Sequence, residues 1–173
     1  DYEQGFYLEW GWGGAGGVYA VSAYDTKPTN SRSGTQKVYL TTDYFATTPV
    51  AILDAGSGSV GNRHVHGAVY DQYRDAVWVT CGDGSSKALK VSFDARTAGA
   101  AATWVDVATN AQCTAIGVFP QCVVFGSDGP PNAVMRIDNP SPTSLVMTVA
   151  HRVDFGMSAS ICAEAPYRRP GDG

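Results

Sequence analysis

Long apolar runs are missing from this sequence. None approaches the roughly 20 residues that a membrane-spanning helix needs, so no membrane insertion is expected. Nor does any long stretch carry apolar residues at helical spacing, which sets helical folds aside. Charge is sparse: 16 % of 173 residues, with 12 Lys and Arg against 16 Asp and Glu and a net charge of −4. The basic residues are scattered and form no stripe, so nucleic acid is not an expected partner, and no basic amphipathic segment suits a membrane surface. Among Cys81, Cys113, Cys122 and Cys162 there is no Cys-x-x-Cys pair. Buried free thiols are the expected state, which leaves the redox compartment open. No cofactor is expected. No signal peptide is present, and Asp1 is not preceded by a start methionine, so a mature secreted chain or a piece of a longer one is the expectation.

What the sequence does have is glycine, 20 residues of it, with 9 prolines and many short β-branched or aromatic runs. The densest block is Asn62 to Asp94, NRHVHGAVYDQYRDAVWVTCGDGSSKALKVSFD. His64 to Tyr70, Ala76 to Cys81 and Ala88 to Phe93 read as strands, separated by the breakers Asp71 to Asp75 and Gly82 to Gly84. A fourth strand is expected at Thr103 to Val107, after a Gly/Ala turn. This is an up-and-down meander of four strands.

The pattern recurs. Cys122 to Gly129 (CVVFGSDG) repeats the sense of Trp78 to Gly84 (WVTCGDG), and Ala133 to Asp138 repeats Leu89 to Asp94. Gly82 to Gly126 and Asp94 to Asp138 are each 44 residues, and Val38 to Asp43 has the same strand-then-Asp form 51 residues before Asp94. A period of about 40 to 50 residues with four short strands per unit predicts an all-β fold, a β-propeller or part of one built from four-stranded antiparallel blades. A β-sandwich with coincidental spacing is the alternative. The length holds about three and a half blades in one all-β unit, with repeats at about 5–57, 62–109 and 111–152, then a partial strand and tail over 153–173. Such rings usually need more than that to close. Other chains or missing blades are therefore expected to complete the ring, with an open stack of sheets as the remaining alternative.

In chain order, Gly5 to Trp12 reads as a strand, Gly13 to Gly17 as a break, Val18 to Tyr24 as a strand and Asp25 to Gln36 as a polar surface loop. Lys37 to Asp43 and Pro49 to Leu53 are expected as outer strands joined by the turn Tyr44 to Thr48. Cys113 and Cys122 fall at opposite ends of a hairpin, too far apart for a disulfide.

The outer turns carry a family resemblance. Thr41-Thr42-Asp43-Tyr44-Phe45-Ala46-Thr47, and Ser92-Phe93-Asp94 with Thr103-Trp104 after a longer turn, look like degenerate Asp-box turns of the pattern Ser/Thr-x-Asp-x-Gly-x-Thr-Trp. Arg136-Ile137-Asp138 keeps only the Asp. With HVHG, VWVTCGDG and FGSDGPPN, the chain from about Gly5 to Val153 resembles sialidase-like Asp-box (BNR repeat) β-propeller proteins of bacteria and their phages. The resemblance implies structural roles for Asp43, Asp94, Trp104 and Asp138, at the end of the blades away from any active face. It also implies an extracellular or virion-associated setting such as a phage tail.

Candidate ligand-binding residues belong to the other end. His64 and His66 open a first strand, while Asp83 and Asp128 follow second strands, so a meander brings them to one end near the axis, with Arg63 beside them. Glu9 joins them if Gly5 to Trp12 is also a second strand. Two apart on a strand, the histidines point to one side, as an acid/base pair would need. Hydrogen-bonded channel residues are the structural alternative, and Asp83 and Asp128 also suit simple loop caps. No metal set is assigned. Trp10, Trp12 and Tyr73 suit stacking on sugar rings or packing between blades.

Three functions follow. The first is a non-enzymatic module that binds carbohydrate or a cell-surface receptor. The second is a glycan-processing enzyme, a hydrolase or polysaccharide lyase, and the third a purely structural part of a larger assembly. The Arg-Ile-Pro motif of sialidases is absent, since Arg136-Ile137 is followed by Asp138, and the arginines are dispersed. A lyase would use His64 or His66 as base with Arg63 on a uronate carboxylate. Binding is the leading expectation and catalysis the lesser one.

Overall fold

The computed structural model describes residues 12–22, 37–55, 65–82, 87–109, 111–127 and 132–152. They form three four-stranded antiparallel sheets, each a meander. Sheet 1 contains β1 (Trp12–Ala15), β2 (Val18–Ser22), β3 (Lys37–Thr41) and β4 (Val50–Asp54). Sheet 2 contains β5 (Val65–Asp71), β6 (Ala76–Cys81), β7 (Ala88–Ser92) and β8 (Val105–Ala108), and sheet 3 contains β9 (Cys113–Val118), β10 (Cys122–Ser127), β11 (Ala133–Asp138) and β12 (Met147–Arg152). Between β7 and β8 lie a four-residue helix, α1 (Ala95–Ala98), and the 3-10 turn Gly99–Ala101. No helix among the described residues is long and apolar enough to cross a membrane. The chain is all-β, and none of the three sheets closes on itself.

Sheet 2 is the middle layer, and its sequence shows why. Every residue of β5 and β6 is buried, as the unbroken apolar run AVWVTC demands of a strand covered on both faces. Cross-strand partners sort the two faces. Ala68 pairs with Val79 and Tyr70 with Val77, and these four pack with Ala20, Val38, Leu40 and Ile52 of sheet 1. Val69 pairs with Trp78 and Trp78 with Val91, and these pack with Val123, Phe125, Met135 and Ile137 of sheet 3. Trp78 meets Phe125 edge-on, with centroids 5.6 Å apart at 61°. Offset or edge-to-face rings at this separation add to the burial term. In sheet 3, β11 alternates instead: Ala133, Met135 and Ile137 are buried, whereas Arg136 and Asp138 are exposed. A sheet covered on one face alternates in this way.

The first strand of sheet 1 differs from the sequence reading. Gly13 to Gly17 was expected to break the chain, yet β1 runs through Gly13 and Gly14, and only Gly16 and Gly17 turn, both at positive φ. Small residues admit close approach here. A Cβ on Gly13 would lie 3.1 Å from the Val69 side chain of sheet 2, so the glycine lets β1 press against β5. Glu9 lies outside the described residues. Cys113 and Cys122 are at opposite ends of the β9–β10 hairpin, and Cys81, Cys113 and Cys122 are free thiols.

Candidate functional site

The sheets share a direction, so their turns gather at two ends. At one end lie the connections between first and second strands and between third and fourth strands. Cross-sheet contacts fix this alignment: Arg74, in the β5–β6 turn, donates to the carbonyls of Phe119 (3.1 Å) and Pro120 (2.9 Å) in the β9–β10 turn. Carboxylates close three of the turns at this end, at Asp43, Asp71 and Asp94.

Asp43 closes the β3–β4 turn. Thr41 Oγ1 donates to Asp43 Oδ1 (2.9 Å), and the amide and hydroxyl of Thr47 donate to Asp43 Oδ2 (3.0 and 2.7 Å). The Phe45 amide in turn donates to Thr41 Oγ1 (3.0 Å). The Thr47 side chain foremost, then that of Thr41, holds the Asp43 carboxyl below its ordinary value, because each bond favours the ionised form.

Asp94 does the same across a longer turn. Ser92 Oγ donates to Asp94 Oδ1 (2.8 Å), and so does the Thr103 amide (2.9 Å), nine residues on rather than four. The intervening residues form α1 and the 3-10 turn. The Ser92 hydroxyl first, then the Thr103 amide, lowers the Asp94 pKa. Trp104 follows and donates from Nε1 to the Ile52 carbonyl of β4 (3.1 Å), stitching sheet 2 to the outer strand of sheet 1.

Asp138 behaves differently. It is exposed and pairs with Arg136, and the pair raises the arginine's pKa. The reason is local. Arg136 stands two before the Asp, where Thr41 and Ser92 supply hydroxyls. Pro140 and Pro142 stand where Phe45 and Thr47 supply amides, and proline has none to give.

A fourth carboxylate at this end escaped the sequence reading, which took Asp71 to Asp75 only as breakers. Asp71 is fully buried and accepts from the Tyr73 amide (3.0 Å), Arg74 Nη1 (2.8 Å) and Trp78 Nε1 (3.1 Å). Beside it Asp75 accepts from Arg96 and from the Tyr70 hydroxyl. The Arg96 bond depresses the Asp75 pKa, while burial and then Asp75 raise that of Tyr70. The available signal was an Asp ending an apolar strand with an Arg three residues on.

Of the candidate ligand residues, His66 is the one among the described residues, and it lies at the opposite end. His66 is buried at 5 % exposure in β5. It falls between Val65, which pairs with Cys81, and Gly67, which pairs with Thr80, so it is the extra residue of a β-bulge. The simple alternation that would point His64 and His66 to one side is interrupted at this position. His64, Arg63, Asp83, Asp128 and Glu9 lie outside the described residues, as do Trp10 and the side chain of Trp12. Thr80, beside the bulge, buries its hydroxyl with no hydrogen-bond partner among the described residues. Near the start of sheet 3, burial pushes the Cys113 thiol up to about 12, which removes its nucleophilic form at neutral pH. Among the described residues no group of three or more His, Cys, Asp or Glu is arranged to hold a metal ion.

No protein-family model matches the sequence, and no curated protein matches it.

Proposed function

We propose that the chain is a contiguous part of a β-propeller of Asp-box type, a non-enzymatic module that binds a glycan or a carbohydrate-bearing receptor. Its setting on this reading is a phage tail or another extracellular surface protein. The observation that carries the reading is the contrast between the two ends of the sheets. One end is closed by carboxylates already used by their own turns, at Asp43, Asp94 and Asp71. The other end bears His66 at a bulge, where a strand is bent and a side chain re-aimed. The residues that sequence topology sends to that end, Arg63, His64, Asp83 and Asp128, have the chemistry to grip hydroxyls and carboxylates. Further blades or other chains complete the ring beyond sheets 1 and 3, each of which has one face less covered than the middle sheet.

The test is a broad glycan array, probed with the protein and with a variant in which His64, His66 and Asp83 are replaced together. Hits that vanish in the variant support the reading. An array without hits transfers the function to a structural role in a larger assembly. Depolymerisation of a uronate polymer, lost on replacing both histidines, would make the module a lyase instead.

A further inference from the structure

The turn at Asp43 carries two features that its closure does not require. Tyr44 and Phe45 both lie at positive φ, 57° and 64°. Bulky side chains rarely adopt this backbone conformation, and two in succession mark a strained turn. Their rings are also in water, with Tyr44 67 % and Phe45 48 % exposed. Burial therefore does not repay the strain.

The rings are held in place nonetheless. Tyr19 of β2 lies 5.9 Å from Tyr44, tilted at 55°, and 6.1 Å from Phe45, nearly parallel at 26°. The Tyr44 ring lies against Gly17, where a Cβ would come within 2.8 Å of Cε2, and the Tyr44 amide donates to the Gly17 carbonyl (3.0 Å). Below them the Asp43 and Thr41 bonds fix the turn. The result is a small, preorganised aromatic platform on a turn whose sequence also contains the exposed Thr42, Thr47 and Thr48.

We infer that Tyr19, Tyr44 and Phe45 form a carbohydrate-binding platform, at the end of the sheets opposite His66, for a neutral pyranose unit of a glycan. An exposed ring suits the C–H face of a sugar, and the threonine hydroxyls of the same turn suit the sugar's own hydroxyls. Thr41 to Pro49 contains no Lys or Arg, and its one carboxylate is already bound within the turn, so nothing there recognises a uronate or sialate. A protein partner would need about 800 Å² of matching surface per side, and three rings among threonines fall well short of that.

Affinity electrophoresis in gels containing dextran, galactomannan or hydroxyethyl cellulose tests the platform, with bovine albumin as the unretarded reference. The full chain is expected to be retarded by at least one of these neutral polymers. Tyr44→Asn and Phe45→Gly remove a ring while suiting positive φ, so both variants are expected to melt no lower than the parent and to bind at least tenfold more weakly. Both ring variants leave His64, His66 and Asp83 in place, so their loss of retardation separates this platform from the proposed site at the other end, and Val146→Ala, an exposed apolar residue of the β11–β12 connection, is expected to keep the retardation. Absence of retardation in all three polymers overturns the inference, as does equal retardation of the ring variants. So does a self-associating parent that Tyr44→Asn renders monomeric, since the rings would then serve a second copy.

Discussion

Asp71 joins its own turn to an indole and a guanidinium. It is fully buried, and three donors share its carboxylate. Asp71→Ala would strand the Trp78 indole N–H and a mostly buried guanidinium, and removing one partner of a buried pair typically costs about 3–5 kcal/mol. Urea unfolding is expected to show a loss of that size, whereas Asp138→Ala, which breaks an exposed pair, should cost less than about 1 kcal/mol. The turn carboxylates set an acid limit. Asp43, Asp75 and Asp94 have folded pKa values below the ordinary one, so their contribution is complete above the unfolded value of about 3.9 and disappears as pH falls through the lower folded values. Melting temperature measured from pH 6 to pH 2 is expected to fall below about pH 4, and the Asp43→Asn, Asp94→Asn double variant is expected to fall less steeply. At this scale the sequence was partly legible. Thr41, Ser92 and Thr103 at defined offsets announced the carboxylate-closed turns, because the bonds are local. Asp71 was hidden, because its importance comes from Trp78 and from Phe119 and Pro120 on another sheet, which no local pattern displays.

Between elements, the middle sheet is the one the others depend on. Trp78 and Phe125 fill the core between sheets 2 and 3, both fully buried. Phe125→Ala is expected to cost about 3–5 kcal/mol in chemical unfolding, as other aromatic truncations in packed cores do. Trp104→Ala removes a half-buried ring and its bond to Ile52, and the expected loss is smaller, about 2 kcal/mol. The strands themselves were largely legible. Alternating or continuous apolar runs bounded by Gly, Pro and Asp gave β5, β6, β7, β10 and β11, because hydrophobic period reports burial directly. The strand β1 was not, since two of its four residues are glycine and its existence rests on the close approach to β5. Nor was the bulge at His66, which arises from the register between two strands.

For the whole molecule, thiol accessibility measures how firmly the three sheets hold together. Cys81 and Cys113 are buried, one in each core, while Cys122 is partly exposed. Iodoacetamide labelling at pH 8, mapped by peptide mass spectrometry, is expected to modify Cys122 before the other two described thiols and to reach Cys81 and Cys113 only on unfolding. Early labelling of Cys113 alone would mean that sheet 3 detaches from the other two. The repeat spacing told of several similar sheets but not of how they pack on one another, because a period counts units without arranging them. The reach of Arg74 has a consequence for the order of events during synthesis. Its partners at Phe119 and Pro120 come 45 and 46 residues later, which at 5–20 residues per second is roughly 2–9 s of translation. For that interval a nascent sheet 2 carries a cation with two of its three acceptors not yet made, and the latch between the second and third sheets closes only when the ribosome delivers them.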